Sequence, residues 1–166
     1  MKRLYTMGFS GLVLGAAVVG YNLQASEPAA TETAQATSEI TVYKSPSCSC
    51  CADWAEHLEN NGFTVQVETV DDLRAIKSQY EVPREMASCH TAVIDGLVVE
   101  GHVPAGDIKA YVANPNAGFG DETVGLSVPG MPHGTPGMET GRQDSYAVLA
   151  FTADGDTETV KSYGNY

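Results

Sequence analysis

Positive charge is scarce in this 166-residue chain: nine Lys and Arg stand against 21 Asp and Glu, a net charge of −12. A surface of that sign repels a phosphate backbone, which argues against nucleic acid as a partner. It also raises the local concentration of cations. Cysteine is scarce near the N-terminus, with none before Cys48. That argues against a lipid anchor attached near the first 25 residues. Residues Glu27 to Glu39 lack any large apolar side chain and cannot bury enough surface to order themselves. The chain has no internal repeat.

What is present begins with an export pattern. Lys2 and Arg3 precede an uncharged, mostly apolar run from Leu4 to Gly20, and Leu23-Gln24-Ala25 offers a small residue before a cleavage point. This predicts a signal peptide over residues 1–25 and a periplasmic destination. The run is also almost long enough to span a bilayer. The alternative is therefore an uncleaved inner-membrane anchor facing the periplasm, with membrane contact only in that case. Residues 26–39 read as a tether and residues 40–166 as one domain with a modest core. Loss of Lys2 and Arg3 leaves seven basic residues against 21 acidic ones, a net −14.

Within that domain, Ile40 to Tyr43 reads as a strand. A helix follows from Cys51, with Trp54, Ala55 and Leu58 at helical spacing and Asn60-Asn61-Gly62 as its end. Phe63 to Val67 alternates as a half-buried strand does. Asp71-Asp72 opens a second helix with Leu73, Ile76 and Tyr80 on one face, closed by Pro83. Asp95-Gly96 joins Thr91–Ile94 to Leu97–Val99 as a two-residue hairpin, and Pro104 leads into a helix carrying Ile108, Tyr111 and Val112. Asn114 to Ser145 has little periodicity, and a stretch of that length is either functional or disordered. Tyr146–Phe151 and Glu158–Tyr163 read as a terminal hairpin around Asp154-Gly155. The expected fold is α/β, in the β-α-β-α-β-β-α order of a thioredoxin-like core, with a Gly/Pro/Met loop and a C-terminal β-hairpin added.

The four cysteines carry the chemistry. An even count in an exported chain ordinarily suggests two structural disulfides. The spacing argues otherwise, because Cys48, Cys50 and Cys51 crowd one strand-to-helix junction. Backbone N–H groups and the helix dipole at such a junction favour thiolate over thiol. Cys48 and Cys51 have the spacing of a redox pair, and Cys50 is surplus to it. Three neighbouring thiols suit a soft metal that accepts bridging thiolates. Cys89 lies just before the third strand, where a thioredoxin-like chain faces its helix-start cysteines and many members place a cis-proline. A fourth thiol is expected to reach the other three; the alternative is a disulfide from Cys89 to one of them.

Further donors lie in Pro129-Gly130-Met131-Pro132-His133-Gly134-Thr135-Pro136-Gly137-Met138. Thioether selects Cu(I) over zinc, so Met131 and Met138 are candidate ligands, although methionine is also an adaptable packing residue. His102 could point at the site from the end of the fourth strand, or be a capping or core histidine. His133 is a weaker candidate. His90 ranks below His102, because neighbours on an extended segment point opposite ways. His57 reads as a surface residue.

These segments resemble the CopG family. The residues that carry the resemblance are Val42 to Ser47 with Cys48-x-Cys50-Cys51, Trp54, Asn61-Gly62-Phe63, Ala87-Ser88-Cys89-His90-Thr91-Ala92, Glu100 to Ala105, and Pro129-Gly130-Met131-Pro132 with Gly134 to Glu139. The likeness runs from about Ile40 to Phe151. The family was long described as a metal-binding domain of unknown function found beside bacterial copper-resistance genes. The resemblance implies a thioredoxin-like fold, a periplasmic location, copper bound by Cys48, Cys50, Cys51 and Cys89, and a role in interconverting Cu(I) and Cu(II). It assigns no metal role to His133, whose position is usually apolar in the family.

The function expected first is copper binding for resistance or homeostasis, with Cu(I) preferred, room for more than one ion through shared sulfurs, and periplasmic copper-transfer proteins as partners. A thiol–disulfide oxidoreductase using Cys48 and Cys51 is the alternative. A structural zinc site is the third reading, weakened because such sites draw two ligands from each of two separated knuckles.

Overall fold

A computed structural model describes residues 39–114 and 118–164 of the chain. The signal expected over 1–25, and all of the tether except its last residue, lie outside the described residues. Among the described residues, no helix is long and apolar enough to cross a membrane.

The chain begins with strand β1 (Glu39–Lys44), helix α1 (Ser49–Asn60), strand β2 (Thr64–Thr69) and helix α2 (Leu73–Gln79). A single 3-10 turn at Arg84–Met86 leads to β3 (His90–Ile94), β4 (Leu97–Glu100) and α3 (Ala105–Ala113). Three strands complete the chain: β5 (Gly125–Ser127), β6 (Tyr146–Phe151) and β7 (Thr157–Tyr163). The fold is α/β, and its first seven regular elements follow the β-α-β-α-β-β-α order read from the sequence. Local chemistry accounts for several boundaries. The Asp72 carboxylate accepts the backbone N–H groups of Arg74 and Ala75 at the start of α2. Asp95 and Gly96 both have positive φ, 50° and 87°, as a two-residue hairpin turn that matches the sheet twist requires.

One seven-stranded sheet runs in the order β2-β1-β3-β4-β5-β6-β7. β1 pairs parallel with β2 and antiparallel with β3, and β4 pairs parallel with β5. Alternation along each strand divides the core between the two faces. Ile40, Val42, Ala92, Ile94 and Val99 meet Trp54 and Leu58 of α1 and Ile108 and Tyr111 of α3 in one buried cluster. Tyr43, one residue out of phase, meets Tyr80 just beyond α2 with ring centroids 6.1 Å apart. Val98 and Phe151 pack with Met86 in a second cluster.

Two expectations are corrected and a third holds. β2 is not half-buried but an edge strand, and its Val67 is 50% exposed. The face of α2 read from the sequence is the half-buried one, with Leu73, Ile76 and Tyr80 each partly covered, although no residue of the helix is fully buried. The aperiodic stretch after Asn114 contains β5, a three-residue strand too short to show alternation. β5 joins β4 to β6, so the terminal hairpin continues the main sheet.

Candidate metal centre

The strand register gathers the site at one end of the sheet. Lys44 at the end of β1 pairs with His90 at the start of β3, and Thr91 pairs with Glu100 at the end of β4. Glu100 in turn pairs with Ser127 at the end of β5. The connections leaving these positions therefore converge: residues 45–51, 87–90, 101–104 and the loop after Ser127.

Cys48 is the N-cap residue of α1, and Cys50 and Cys51 lie in its first turn. Cys89 sits in the bend before β3. The four sulfurs lie within 4.8 Å of one another. Cys48 and Cys51 are joined as a disulfide, while Cys50 and Cys89 are free thiols. The pairing is thus within the Cys-x-x-Cys unit, and Cys89 is not its partner. Cys48 Sγ is 3.6 Å from Cys50 Sγ, and the Cys51 sulfur is 3.8 Å from the Cys89 carbonyl oxygen. Burial pushes the Cys89 thiol up to about 11, and the nearby Cys50 adds to the shift. At neutral pH Cys89 therefore carries a proton that an incoming metal must displace.

His102 is fully buried, with Nε2 3.2 Å from Cys89 Sγ and Nδ1 2.6 Å from the Pro136 carbonyl. A carbonyl can only accept, so Nδ1 holds the proton and the Nε2 lone pair faces the sulfur. Burial lowers the His102 pKa, which keeps the ring neutral and able to ligate. This carbonyl-bonded arrangement is the one that ligating histidines use to fix their tautomer.

His90 departs from the sequence reading. It precedes Thr91 in β3, but Cys89 lies in a bend where strand alternation does not hold. His90 Nδ1 is accordingly 3.5 Å from Cys89 Sγ rather than on the far side. Cys89, His90 and His102 form a second group of donors close enough to share an ion. The His90 ring is 0% exposed, lies against Trp54 with ring centroids 4.3 Å apart and planes tilted by 33°, and has no hydrogen-bond partner at Nε2. Burial holds its pKa well below the ordinary value, with His102 and Lys77 adding to the effect and the Gly101 backbone opposing it. His57 is also corrected. It is half-buried, and its Nε2 accepts the Ala105 N–H at 3.1 Å, so it secures the start of α3.

The Gly/Pro/Met loop is part of the site's wall. Besides the Pro136 carbonyl on His102, Gly137 at φ +80° lies so close to α1 that a Cβ there would meet Cys50 O and Trp54 N at 2.8 Å. Thr135 and Met138 tie the loop to itself through Thr135 Oγ1 to Pro132 O and Met138 N to Thr135 O, each 2.8 Å. Met138 is half-buried and Met131 is 46% exposed. His133 belongs to neither donor group. Its Nδ1 meets Thr140 Oγ1 at 2.7 Å, and its N–H donates to Asp144.

A buried network behind Cys89 was not foreseen. The Glu100 side chain has no exposure and takes Lys77 Nζ at 2.7 Å, the Ser88 N–H at 2.8 Å and Thr91 Oγ1 at 2.5 Å. Lys77 Nζ also donates to the His90 carbonyl at 3.1 Å. The segment Ser88-Cys89-His90 is therefore clamped on both sides of the thiol. Burial pushes the Glu100 carboxyl up, and Lys77 pulls it back. The sequence signal was a charged residue ending the apolar run Leu97-Val98-Val99, just before His102.

Two solved structures are similar to the chain. "Copper resistance protein copG- Form 2" is 46% identical with a TM-score of 0.70, covering 76% of this chain and 98% of its own. "Copper resistance protein copG- Form 1" is 46% identical with a TM-score of 0.69 and the same coverage. The chain belongs to the CopG family of copper resistance proteins. A family model described as "Protein of unknown function, DUF411" matches residues 86–138. That span of the CopG-family chain holds Cys89, His90, His102 and the methionine loop, and excludes the helix-start cysteines. No curated protein matches the chain significantly.

Proposed function

We propose that this CopG-family protein binds copper for resistance or homeostasis, taking Cu(I) through Cys48, Cys50, Cys51 and Cys89 once the disulfide is reduced. The observation that carries the reading is the convergence of four sulfurs within 4.8 Å. Thiolate is a soft donor that selects Cu(I), and sulfurs this close can bridge more than one ion. His102 supplies a fixed imidazole lone pair beside Cys89. Met131 and Met138 are neutral, weaker donors that would tune the site. Interconversion of Cu(I) and Cu(II) is compatible with a donor set that includes a redox pair. The likeness to solved copper resistance proteins supports the copper assignment. The export pattern in residues 1–25 supports a periplasmic location, with inner-membrane anchoring as the alternative and periplasmic copper-transfer proteins as partners.

The experiment is an anaerobic titration of the reduced protein with Cu(I) and Zn(II) against competing chelators. Preferential Cu(I) uptake, lost together with the thiols, supports the proposal. Uptake of one Zn(II) in preference to Cu(I) would return the site to structural zinc. One observation favours a second reading, thiol–disulfide exchange: the Cys48–Cys51 disulfide at the start of α1. Insulin reduction distinguishes the two. Turnover is expected to be weak, because Cys50 and Cys89 would trap mixed disulfides. Brisk turnover that is abolished only by Cys48→Ser or Cys51→Ser would favour the oxidoreductase.

A further inference from the structure

Lys44 stands at the metal end of the sheet without a counter-charge. It is 8% exposed, and its Nζ donates to the Ser45 carbonyl at 3.1 Å. No carboxylate among the described residues forms an ion pair with it. A buried ammonium held by one carbonyl is costly, and the copper-binding reading so far makes no use of it. We propose that Lys44 supplies the positive charge that offsets the thiolates of the helix-start cysteines, both in the reduced protein and when Cu(I) is bound. The inference rests on the copper-binding reading above and adds to it a residue that ligates nothing but sets the charge of the same centre.

The geometry places that charge at the cysteines. The Ser45 carbonyl that accepts Lys44 Nζ also accepts the Cys48 N–H at 3.3 Å, so the ammonium and the N-cap residue of α1 share one oxygen. Alternation along β1 sets Lys44 on the face of Ile40 and Val42, which is the face packed against α1. The start of α1 is itself left positive: Cys48 makes no side-chain capping bond, and the first turn holds no acidic residue. Lys77 gives the contrast. It reaches Thr91 from the opposite face and is paired with Glu100 at 2.7 Å, so its charge is already neutralised.

The chemistry calls for such a charge. At neutral pH, two thiols that take up one Cu(I) release two protons and leave a unit of charge −1. That negative charge forms in a chain whose net charge is already −12. An ammonium beside the sulfurs favours both the free thiolates and the loaded centre over the neutral thiols. Joined as the Cys48–Cys51 disulfide, two of the sulfurs carry no charge, and Lys44 is left buried and unpaired.

The test compares Lys44→Met, which keeps the length of the side chain and removes the charge, with Lys44→Arg, which keeps the charge. Circular dichroism confirms that each is folded. The reduced apo protein is treated anaerobically with iodoacetamide at neutral pH, and modification of Cys48, Cys50 and Cys51 is followed by peptide mass spectrometry. The thiolate is the reacting form, so modification is expected to slow several-fold in Lys44→Met and to stay near the wild-type rate in Lys44→Arg. Chelator competition at the same pH should show the first Cu(I) bound about tenfold more weakly in Lys44→Met. The denaturant midpoint of its disulfide form should be unchanged or higher, because a buried charge without a partner has been removed. A purely structural lysine predicts a lower midpoint with modification rates unchanged, and that result would overturn the inference. Equal slowing in both variants would overturn it too, since the charge would then not be the cause. A wild-type protein that takes up no Cu(I) would remove the copper-binding reading, while the modification rates would still decide the role of Lys44.

Discussion

Glu100 is a carboxylate with no access to water, placed two residues before His102. Its oxygens take up an ammonium, a hydroxyl and a backbone N–H, and through Ser88 they fix the turn that carries Cys89. Glu100→Ala leaves Lys77 partly buried without its counter-charge. Breaking one side of such a pair costs about 3–5 kcal/mol, which denaturant unfolding of the disulfide form will measure. Lys77→Met combined with Glu100→Met should be less damaging than Glu100→Ala, because no buried charge is left unpaired. The thiols themselves should act as one unit. In the reduced protein, Cys89→Ser is expected to lower Cu(I) stoichiometry by more than one donor's share, because shared sulfurs do not contribute independently; equilibrium dialysis reads this directly. Met131→Ala with Met138→Ala should leave the thiol-bound copper in place and speed loss of the last ion to a chelator. Unchanged off-rates in a folded double variant would reduce both methionines to packing.

Two elements far from the first strand–helix unit in sequence are tied to helices by specific contacts. The loop from Pro129 to Met138 lies against α1 at Gly137, where φ is +80° and the Cys50 carbonyl stands in the way of any side chain. Gly137→Ala adds a left-handed backbone penalty of roughly 1–2 kcal/mol and forces the loop off the helix. Faster copper release from the reduced, loaded protein and a lower melting temperature are expected together. β7 is latched to α3 by Asp107, which accepts Lys161 Nζ at 2.9 Å and Tyr163 OH at 2.6 Å. The Tyr163 hydroxyl and the Asp107 carboxylate raise the Lys161 pKa, and burial followed by Asp107 raises that of Tyr163. For Lys161, the stabilisation is complete below its unfolded value and lost as pH rises through the folded one. For Tyr163, the unfolded phenol ionises first, so folding is again disfavoured as pH rises above about 10. Melting temperature should therefore fall above pH 10, and Tyr163→Phe should flatten that fall. A steeper alkaline loss in Tyr163→Phe would contradict the latch.

At the scale of the whole molecule, copper and folding should be linked. A ligand that binds only the folded state stabilises it by RT ln(1 + [L]/Kd), about 4 kcal/mol at a thousandfold excess over Kd. The Cu(I)-loaded protein is expected to melt above the reduced apo form, with the difference abolished in Cys50→Ser combined with Cys89→Ser. Equal melting temperatures at saturating Cu(I) would mean that the thiols do not form a preformed site. Much of this molecule was legible in one dimension. The element order through α3 followed from apolar periodicity, caps and the Asp95-Gly96 turn, all of which act over a few residues. The Cys48–Cys51 cluster was visible because its members are neighbours along the chain, and Cys89 because it precedes a strand that pairs with β1. β5 was hidden, since three residues carry no period and its partners β4 and β6 lie far away in sequence. The sequence could nominate His102 but could not decide its tautomer, which depends on a carbonyl 34 residues onward. Nor could alternation place His90, because it fails in the bend at Cys89. The sequence by itself determined which donors exist and which elements carry them, because those depend on local propensity. Tertiary structure alone decided which donors from separate segments meet and which nitrogen faces the sulfur, because these are set by contacts between segments brought together only when the sheet forms.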